Sequence, residues 1–422
     1  MADRLQAVKG MNDALPPETA KWNFVERRCR AVLESHGYRE IRTPLCEYTQ
    51  LFARSIGEAT DIVEKEMYTF DDRDGRSLTL RPEGTAGVVR AYIEHSIAKS
   101  EPVSRWYYIG PMYRHERMQK GRYRQFTQVG CEVFGIAEPT IDAELCAMLA
   151  ALLQDLGVQN VTCYVNSLGR GDDRTAYREA LTAYLEGHVE ELCEDCRRRL
   201  GQSPLRVLDC KVAGCAAVAA NAPAILDHLG EASRAHFDGV RRALEALEVR
   251  YEVDPHMVRG LDYYTGTIFE LRGEGGTLGS QNAICGGGRY DGLVEQLGGP
   301  ATPAVGFAMG LERLALVVPG EPETFEPGLD VFLAHHGDEA RLWALTTAER
   351  IRRLGYRADM DHRQSSMKTQ LKRADRLHAR LVLVAGEQEI AARKVALRDM
   401  ASGTQREIAA DDLDAEIKRS LA

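Results

Sequence analysis

Arg259 to Glu270 reads RGLDYYTGTIFE. An arginine, an aspartate and two adjacent tyrosines lead into a half that alternates like a strand, apolar against polar. Two phenolic hydroxyls and a guanidinium aimed into one pocket suit a small polar substrate held beside a phosphate. Three more charged constellations accompany it: RPEGT at Arg81 to Thr85, YRHER through RYRQFTQVGCE at Tyr113 to Glu132, and GFAMGLERL at Gly306 to Leu314.

The pattern around these runs predicts an α+β fold. Residues 18–37 read as an amphipathic helix that follows Pro16-Pro17 and ends at Gly37. Short strand-like runs follow in YREIRTPLCE, EMYTF and SLTLRP, and GTAGVVRAYIEH is a helix opening at glycine. VSRWYYIGPMYR and RQFTQVGCEVFG flank a polar, basic segment, as two antiparallel strands joined by a long loop would. This is an antiparallel sheet with flanking helices rather than an alternating βαβ chain. No GxxxxGK[ST] loop or dinucleotide fingerprint is present, so nucleotide binding requires another device.

From about Gly169 to Pro255 the sequence turns helical and rich in Ala, Glu and Arg, and strand patterning returns at MVRGLDYYTGTIFEL. A linker is expected at Val317 to Gly328, dense in Pro, Gly and Glu. Beyond it, strands LDVFLAHHG, YRADMD and ARLVLVAG alternate with helices over 338–354 and 365–378, a small α/β domain. The expected division is 1–168 and 256–325 as two parts of one domain, 169–255 as a helical insertion, and 328–422 as a C-terminal domain.

The bulk numbers bound these readings. The chain has 422 residues, 44% hydrophobic and 28% charged, which is ordinary globular material. Its net charge is −9, with +2 carried from Gly328 onward, so any nucleic-acid contact must come from local basic patches. No apolar run approaches the ~20 residues that span a bilayer, and MADRLQAVKGMND has no hydrophobic signal core. Ten cysteines, most of them single among apolar residues, read as reduced thiols of a cytoplasmic protein. Cys193, Cys196, Cys210 and Cys215 stand apart with the spacing C-x2-C-x13-C-x4-C. The first gap fits a zinc knuckle and the last is looser, which leaves a structural zinc site and free thiols both open.

Arg114 and Glu116, two apart, are expected on one strand face, where the guanidinium can fork onto a phosphate and the carboxylate accept an amine hydrogen. Five basic residues, Arg114, Arg117, Lys120, Arg122 and Arg124, surround Gly121. Glu312 and Arg313 are expected in the first turn of a helix after Gly306 and Gly310. Arg363 to Arg380 carries six basic residues and one acid, with an inner stripe of Met367, Leu371, Ala374 and Leu381.

In this order, the four constellations closely resemble the histidyl-tRNA synthetases, which are class II aminoacyl-tRNA synthetases. The resemblance covers nearly the whole chain, from KGMND at Lys9 onward, with Met118 standing where proline is expected. It implies a class II catalytic sheet, a helical insertion and an anticodon-binding α/β domain that holds the basic helix. It implies histidine, ATP with Mg²⁺, and tRNA-His as partners, and a homodimer whose interface includes the segment up to Pro44. By this resemblance Arg259 and Arg114 are catalytic. Glu83, Thr85 and Gln128 hold the α-amino end of histidine, and Glu132, Tyr263 and Tyr264 read its ring. Arg114, Glu116, Phe126 and Arg313 bind ATP, and Arg117, Gln119 and Arg122 meet the tRNA acceptor end. CGGGRYDGL, Cys285 to Leu293, borders the substrate pocket in this family. A non-catalytic regulatory subunit of ATP phosphoribosyltransferase fits poorly, because such paralogues lack the last domain and erode RGLDYY. A class II synthetase for threonine or proline is argued against by the paired tyrosines.

Overall fold

A computed structural model describes residues 4–57, 60–273, 282–363 and 365–421. The chain divides into two compact units, Met1–Phe325 and Glu326–Ala422.

In the first unit the strands are, in chain order, β1 Arg39–Glu40, β2 Cys46–Tyr48, β3 Tyr68–Asp71, β4 Ser77–Leu80, β5 Ser104–Tyr113, β6 Gln125–Phe134, β7 Val161–Ser167, β8 Tyr251–Val253, β9 Thr267–Gly273, β10 Ala283–Arg289 and β11 Ala304–Gly310. Eight of them form one sheet in the order β1-β5-β6-β11-β10-β9-β7-β8. The six central strands are mutually antiparallel, and the two edge strands, β1 and β8, pair in parallel. Strands β2, β4 and β3 make a separate antiparallel sheet.

Register gives the large sheet two unlike faces. Paired residues share a face and alternate residues change it. One row across the sheet is Tyr108, Gly130, Ala308, Gly286 and Glu270; the next is Trp106, Glu132, Gly306, Gly288 and Ile268. Glycine recurs along this face and lets large side chains lie flat on it: Tyr108 over Gly130, Glu132 over Gly306 and Arg259 over Gly286. The opposite face carries Val129, Cys131, Val133, Val305, Phe307, Phe269 and Leu271. These pack with Val25, Cys29 and Leu33 of the helix Glu18–Ser35 and with Leu145, Leu149 and Leu152 of the helix Pro139–Asp155. The hydrophobic face is thus sealed by two long helices, while the glycine-lined face carries a second core cluster that includes Tyr108, Phe134 and Ile268.

The 169–255 stretch is mainly helical, as expected, with helices Asp172–Glu186, Glu194–Gln202, Ala213–Ala220 and Glu231–Ala246. It is closed by β8, which returns to pair with β7. Phe237, Val240 and Leu244 of its last helix join the core behind the main sheet. The expected linker at 317–328 begins as ordered structure: the turn Pro322–Phe325 packs on the first helix, with the Phe24 and Phe325 rings 5.0 Å apart and Lys21 Nζ donating to the Gly320 carbonyl at 2.9 Å.

The second unit has strands β12 Val331–His336, β13 Ala358–Met360, β14 Leu381–Gly386, β15 Lys394–Asp399 and β16 Gln405–Ala409, in the order β13-β12-β14-β15-β16. The first three are parallel with crossover helices Asp338–Arg353 and Met367–Arg376, matching the alternating pattern. An antiparallel hairpin and the helix Leu413–Leu421 complete it. No described helix is long and apolar enough to cross a membrane.

Candidate active site

A cavity of about 610 Å³ opens on the glycine-lined face. It is lined by Glu83, Thr85, Arg114, Glu116, Arg122, Phe126, Gln128, Glu132, Arg259, Tyr263, Tyr264 and Arg313, so twelve residues singled out from sequence meet in one place. Arg117 and Gln119 are exposed on the 114–124 loop and do not line it.

One end is a buried polar cluster. Glu132 projects from β6 with 1% of its surface exposed. Its Oε1 accepts the Thr85 hydroxyl at 2.7 Å and its Oε2 accepts the Tyr290 hydroxyl. Burial pushes its pKa up to about 8, partly offset by these two donors. Gly306 lies opposite it on β11, and a Cβ there would sit 2.0 Å from the carboxylate. Gln128, four residues back on the same face, accepts from the Gly84 amide at 3.1 Å and from the Tyr108 hydroxyl at 3.2 Å. Tyr263 and Tyr264 are both 6% exposed, with ring centroids 4.8 Å apart, and Tyr263 meets Tyr290 edge-on at 5.6 Å. Glu83 accepts the Thr85 and Ala86 amides at 2.6 and 2.9 Å, capping the helix Thr85–Glu94. Burial raises its pKa against these amides.

The other end is cationic. Arg259 forms an ion pair with Glu270 of β9, whose second oxygen accepts Arg272 Nε at 2.8 Å. The guanidinium lies over Gly286, where a Cβ would come within 2.9 Å of it. Asp262, three residues beyond Arg259, faces Arg206, 3.7 Å away. Arg114 Nε donates to the Pro82 carbonyl at 2.7 Å, and its guanidinium sits 5.3 Å from the centre of the Phe126 ring. Glu116 accepts Arg122 at 3.0 Å. Arg114 and Glu116 are not on a strand, because β5 ends at Tyr113; the loop that starts there carries them. The loop is pinned by the Arg114 amide, which donates to the Arg124 carbonyl, and by a turn at Gly121 with φ +74°. Glu312 and Arg313 do open a helix, Leu311–Val317, directly after β11. Glu312 accepts the Thr127 amide at 2.7 Å, and burial together with Arg122 lowers the Arg313 pKa.

Sequence reasoning missed Glu270, Tyr108 and the role of Tyr290. Tyr290 lies inside the CGGGRYDGL run, but nothing local shows that its hydroxyl reaches Glu132, 158 residues earlier.

The four thiols of Cys193, Cys196, Cys210 and Cys215 lie within 4.8 Å of one another. The donor set is soft and complete for a tetrahedral metal.

An antiparallel sheet, an arginine on the loop after β5, another at the helix after β11 and a polar cavity between them have the build of a class II aminoacyl-tRNA synthetase. The sequence profile described as histidyl-tRNA synthetase matches residues 10–314, and that of an anticodon binding domain matches residues 330–420. A histidine–tRNA ligase of Syntrophotalea carbinolica is 50% identical over 410 residues, which is 97% of either chain. The apo S. aureus histidyl-tRNA synthetase superposes with a TM-score of 0.82 at 38% identity, covering 98% of this chain and all of that one. The fold is shared with the histidyl-tRNA synthetase of Nostoc sp. PCC 7120, TM-score 0.71 at 22% identity over the full length of both chains. This chain belongs to the histidyl-tRNA synthetase family.

Proposed function

We propose that the cavity makes histidyl-adenylate from histidine and ATP, and that the chain then passes the histidyl group to the 3′ end of tRNA-His. The observation that carries this reading is the division of one cavity into a buried Glu132–Tyr263–Tyr264 end and a cationic Arg114–Arg259–Arg313 end. The imidazole and ammonium of histidine suit the first end: Glu132 and Tyr264 offer partners to ring nitrogens, and Glu83, Thr85 and Gln128 face the α-amino group. The triphosphate suits the second: Arg114 on the α-phosphate, Arg313 on the γ-phosphate, and Glu116 with Phe126 on adenine. Mg²⁺ arrives with ATP and neutralises phosphate charge.

The histidine carboxylate attacks the α-phosphorus and pyrophosphate leaves, so the protein supplies no nucleophile. Negative charge grows on the α-phosphate oxygens in transit, and Arg259 is fixed to stabilise it. Glu270 and the bare floor at Gly286 hold that guanidinium in place. In the second step a hydroxyl at the tRNA 3′ end attacks the acyl carbon and AMP leaves. Arg117, Gln119 and Arg122 on the 114–124 loop meet the acceptor stem, and 328–422, with its basic helix, reads the anticodon.

Three further readings accompany this one. The catalytic domain comprises 1–168 and 256–325, interrupted by the insertion 169–255. The protein acts as a homodimer: Tyr48, Leu78 and Phe70 align across β2, β4 and β3, with Tyr48 and Phe70 44% and 46% exposed in the single chain. The four clustered thiols bind a structural zinc ion, and the ten free cysteines suit the reducing cytoplasm.

Acid-gel separation of charged from uncharged tRNA tests the main reading. Charged tRNA-His should form only with histidine, ATP and Mg²⁺ together; none under those conditions would reject it.

A further inference from the structure

The thiol cluster and the cavity are joined by one short piece of chain. Cys193 precedes the helix Glu194–Gln202, Cys196 lies in its first turn, Cys210 follows the 3-10 turn Pro204–Asp209, and Cys215 lies in the helix Ala213–Ala220. A zinc tetrathiolate with Zn–S bonds of about 2.3 Å sets its sulfurs roughly 3.8 Å apart. Cys193 and Cys210 Sγ are already 3.9 Å apart, and the whole set lies within 4.8 Å. The Cys193 amide donates to Cys215 Sγ at 3.1 Å, the kind of outer hydrogen bond that orients a thiolate ligand.

From this cluster the 204–211 turn reaches the reaction site. Leu208, Asp209 and Lys211, the last two flanking Cys210, line the cavity. Arg206 Nη2 donates to the Gly260 carbonyl at 2.6 Å, and its Nε lies 3.7 Å from Asp262. Gly260 follows Arg259 directly. From the other arm, Arg199 Nη2 meets Asp61 at 2.7 Å, next to Ile62 of the cavity wall.

We propose that zinc on Cys193, Cys196, Cys210 and Cys215 holds the Pro204–Lys211 turn in place and, through Arg206, fixes the Arg259–Asp262 segment, so that metal loading sets the rate of adenylate formation. This rests on the zinc reading above. Arg206 is a positioning residue: it touches the backbone beside Arg259 and no reacting atom. Val207 is buried in the core and Leu205 and Leu208 pack beside it, which holds the middle of the turn, while the sulfur cluster fixes its end at Cys210. A displacement of about 1 Å at a charge-stabilising group is enough to cost up to a hundredfold in rate.

The test uses full-length protein purified without added zinc. Zinc per chain is measured by elemental analysis. Zinc is then removed with 1,10-phenanthroline under a thiol reductant, Mg²⁺ being kept constant. Histidine-dependent pyrophosphate exchange is split into kcat and KM, and limited proteolysis reports on residues 193–215. The expected result is one zinc per chain. The stripped protein should show kcat lowered about tenfold or more, a KM for ATP nearly unchanged, and new cleavage within 193–215. Added zinc should reverse all three. Arg206→Ala should retain zinc yet show the same loss of kcat. Stoichiometric zinc whose removal leaves kcat unchanged overturns the coupling and spares the zinc reading. Zinc-free protein with four titratable thiols and full exchange overturns both.

Discussion

The Tyr290 hydroxyl donates to the Glu132 carboxylate across 158 residues of sequence, and Thr85 donates to the other oxygen of the same group. A carboxylate held by two neutral donors in a buried site can accept a charge-assisted hydrogen bond from a ring N–H, and Glu132→Gln removes the charge and replaces one acceptor oxygen with a donor. The KM for histidine should rise by about tenfold to a hundredfold, the range for a charge-assisted hydrogen bond, while the KM for ATP changes little. Stability carries a second signature. The folded pKa lies above the ordinary 4.5, at about 8, so the contribution of protonated Glu132 is complete below the ordinary value and is lost as pH rises towards 8. Melting curves without ligand should show the wild type losing stability relative to Glu132→Gln between about pH 5 and pH 8. Parallel curves would contradict the assignment.

Arg259→Ala should slow histidine-dependent exchange by two to four orders of magnitude, roughly what loss of a donor to transition-state charge costs, with ATP binding weakened less. Arg259→Lys should also be poor, because a point ammonium cannot meet Glu270 and a phosphate together. Stopped-flow adenylate formation measures both, and near-normal rates in either variant remove Arg259 from the chemistry.

Gly306→Ala tests the bare floor of the sheet. A Cβ there would lie 2.0 Å from Glu132 Oε2 and 2.4 Å from the Cys131 carbonyl, with the strand locked between β6 and β10. The variant should lose about 1–3 kcal/mol of stability and bind histidine poorly. A wild-type melting temperature together with wild-type histidine affinity would show that this face tolerates bulk.

Cutting the chain after Phe325 should separate activation from charging. The first compact unit ends at that residue, and Phe325 packs on Phe24, so the cut spares the contact. Residues 1–325 should still carry out histidine-dependent exchange, because the whole cavity lies within them. Charging of tRNA-His should fall steeply and stop depending on the anticodon bases. Full charging with retained anticodon discrimination would take anticodon reading away from 328–422.

Much of this site was legible because its residues fall in runs whose local pattern survives folding. The strand expected at RQFTQVGCEVFG forms as β6, which carries Gln128 and Glu132, and glycine before LERL marked the strand-to-helix step at Arg313. What stayed hidden depends on pairings distant in sequence. Glu270 meets Arg259 because β9 lies beside Gly286 of β10, a register no local pattern gives. Arg114 and Glu116 read as strand because their spacing fits one, yet the pairing ends at Tyr113 opposite Gln125. The stretch after Val317 reads as linker by composition, but the Phe325 ring finds Phe24 and draws the segment as far as Phe325 into the first unit.

Amino-acid-dependent exchange of pyrophosphate into ATP, run with each of the twenty amino acids in turn, tests the central claim most directly. Exchange should appear with histidine alone and vanish in Arg259→Ala. Exchange driven by threonine, proline or any other amino acid, or none with histidine, would contradict a pocket that selects and activates histidine.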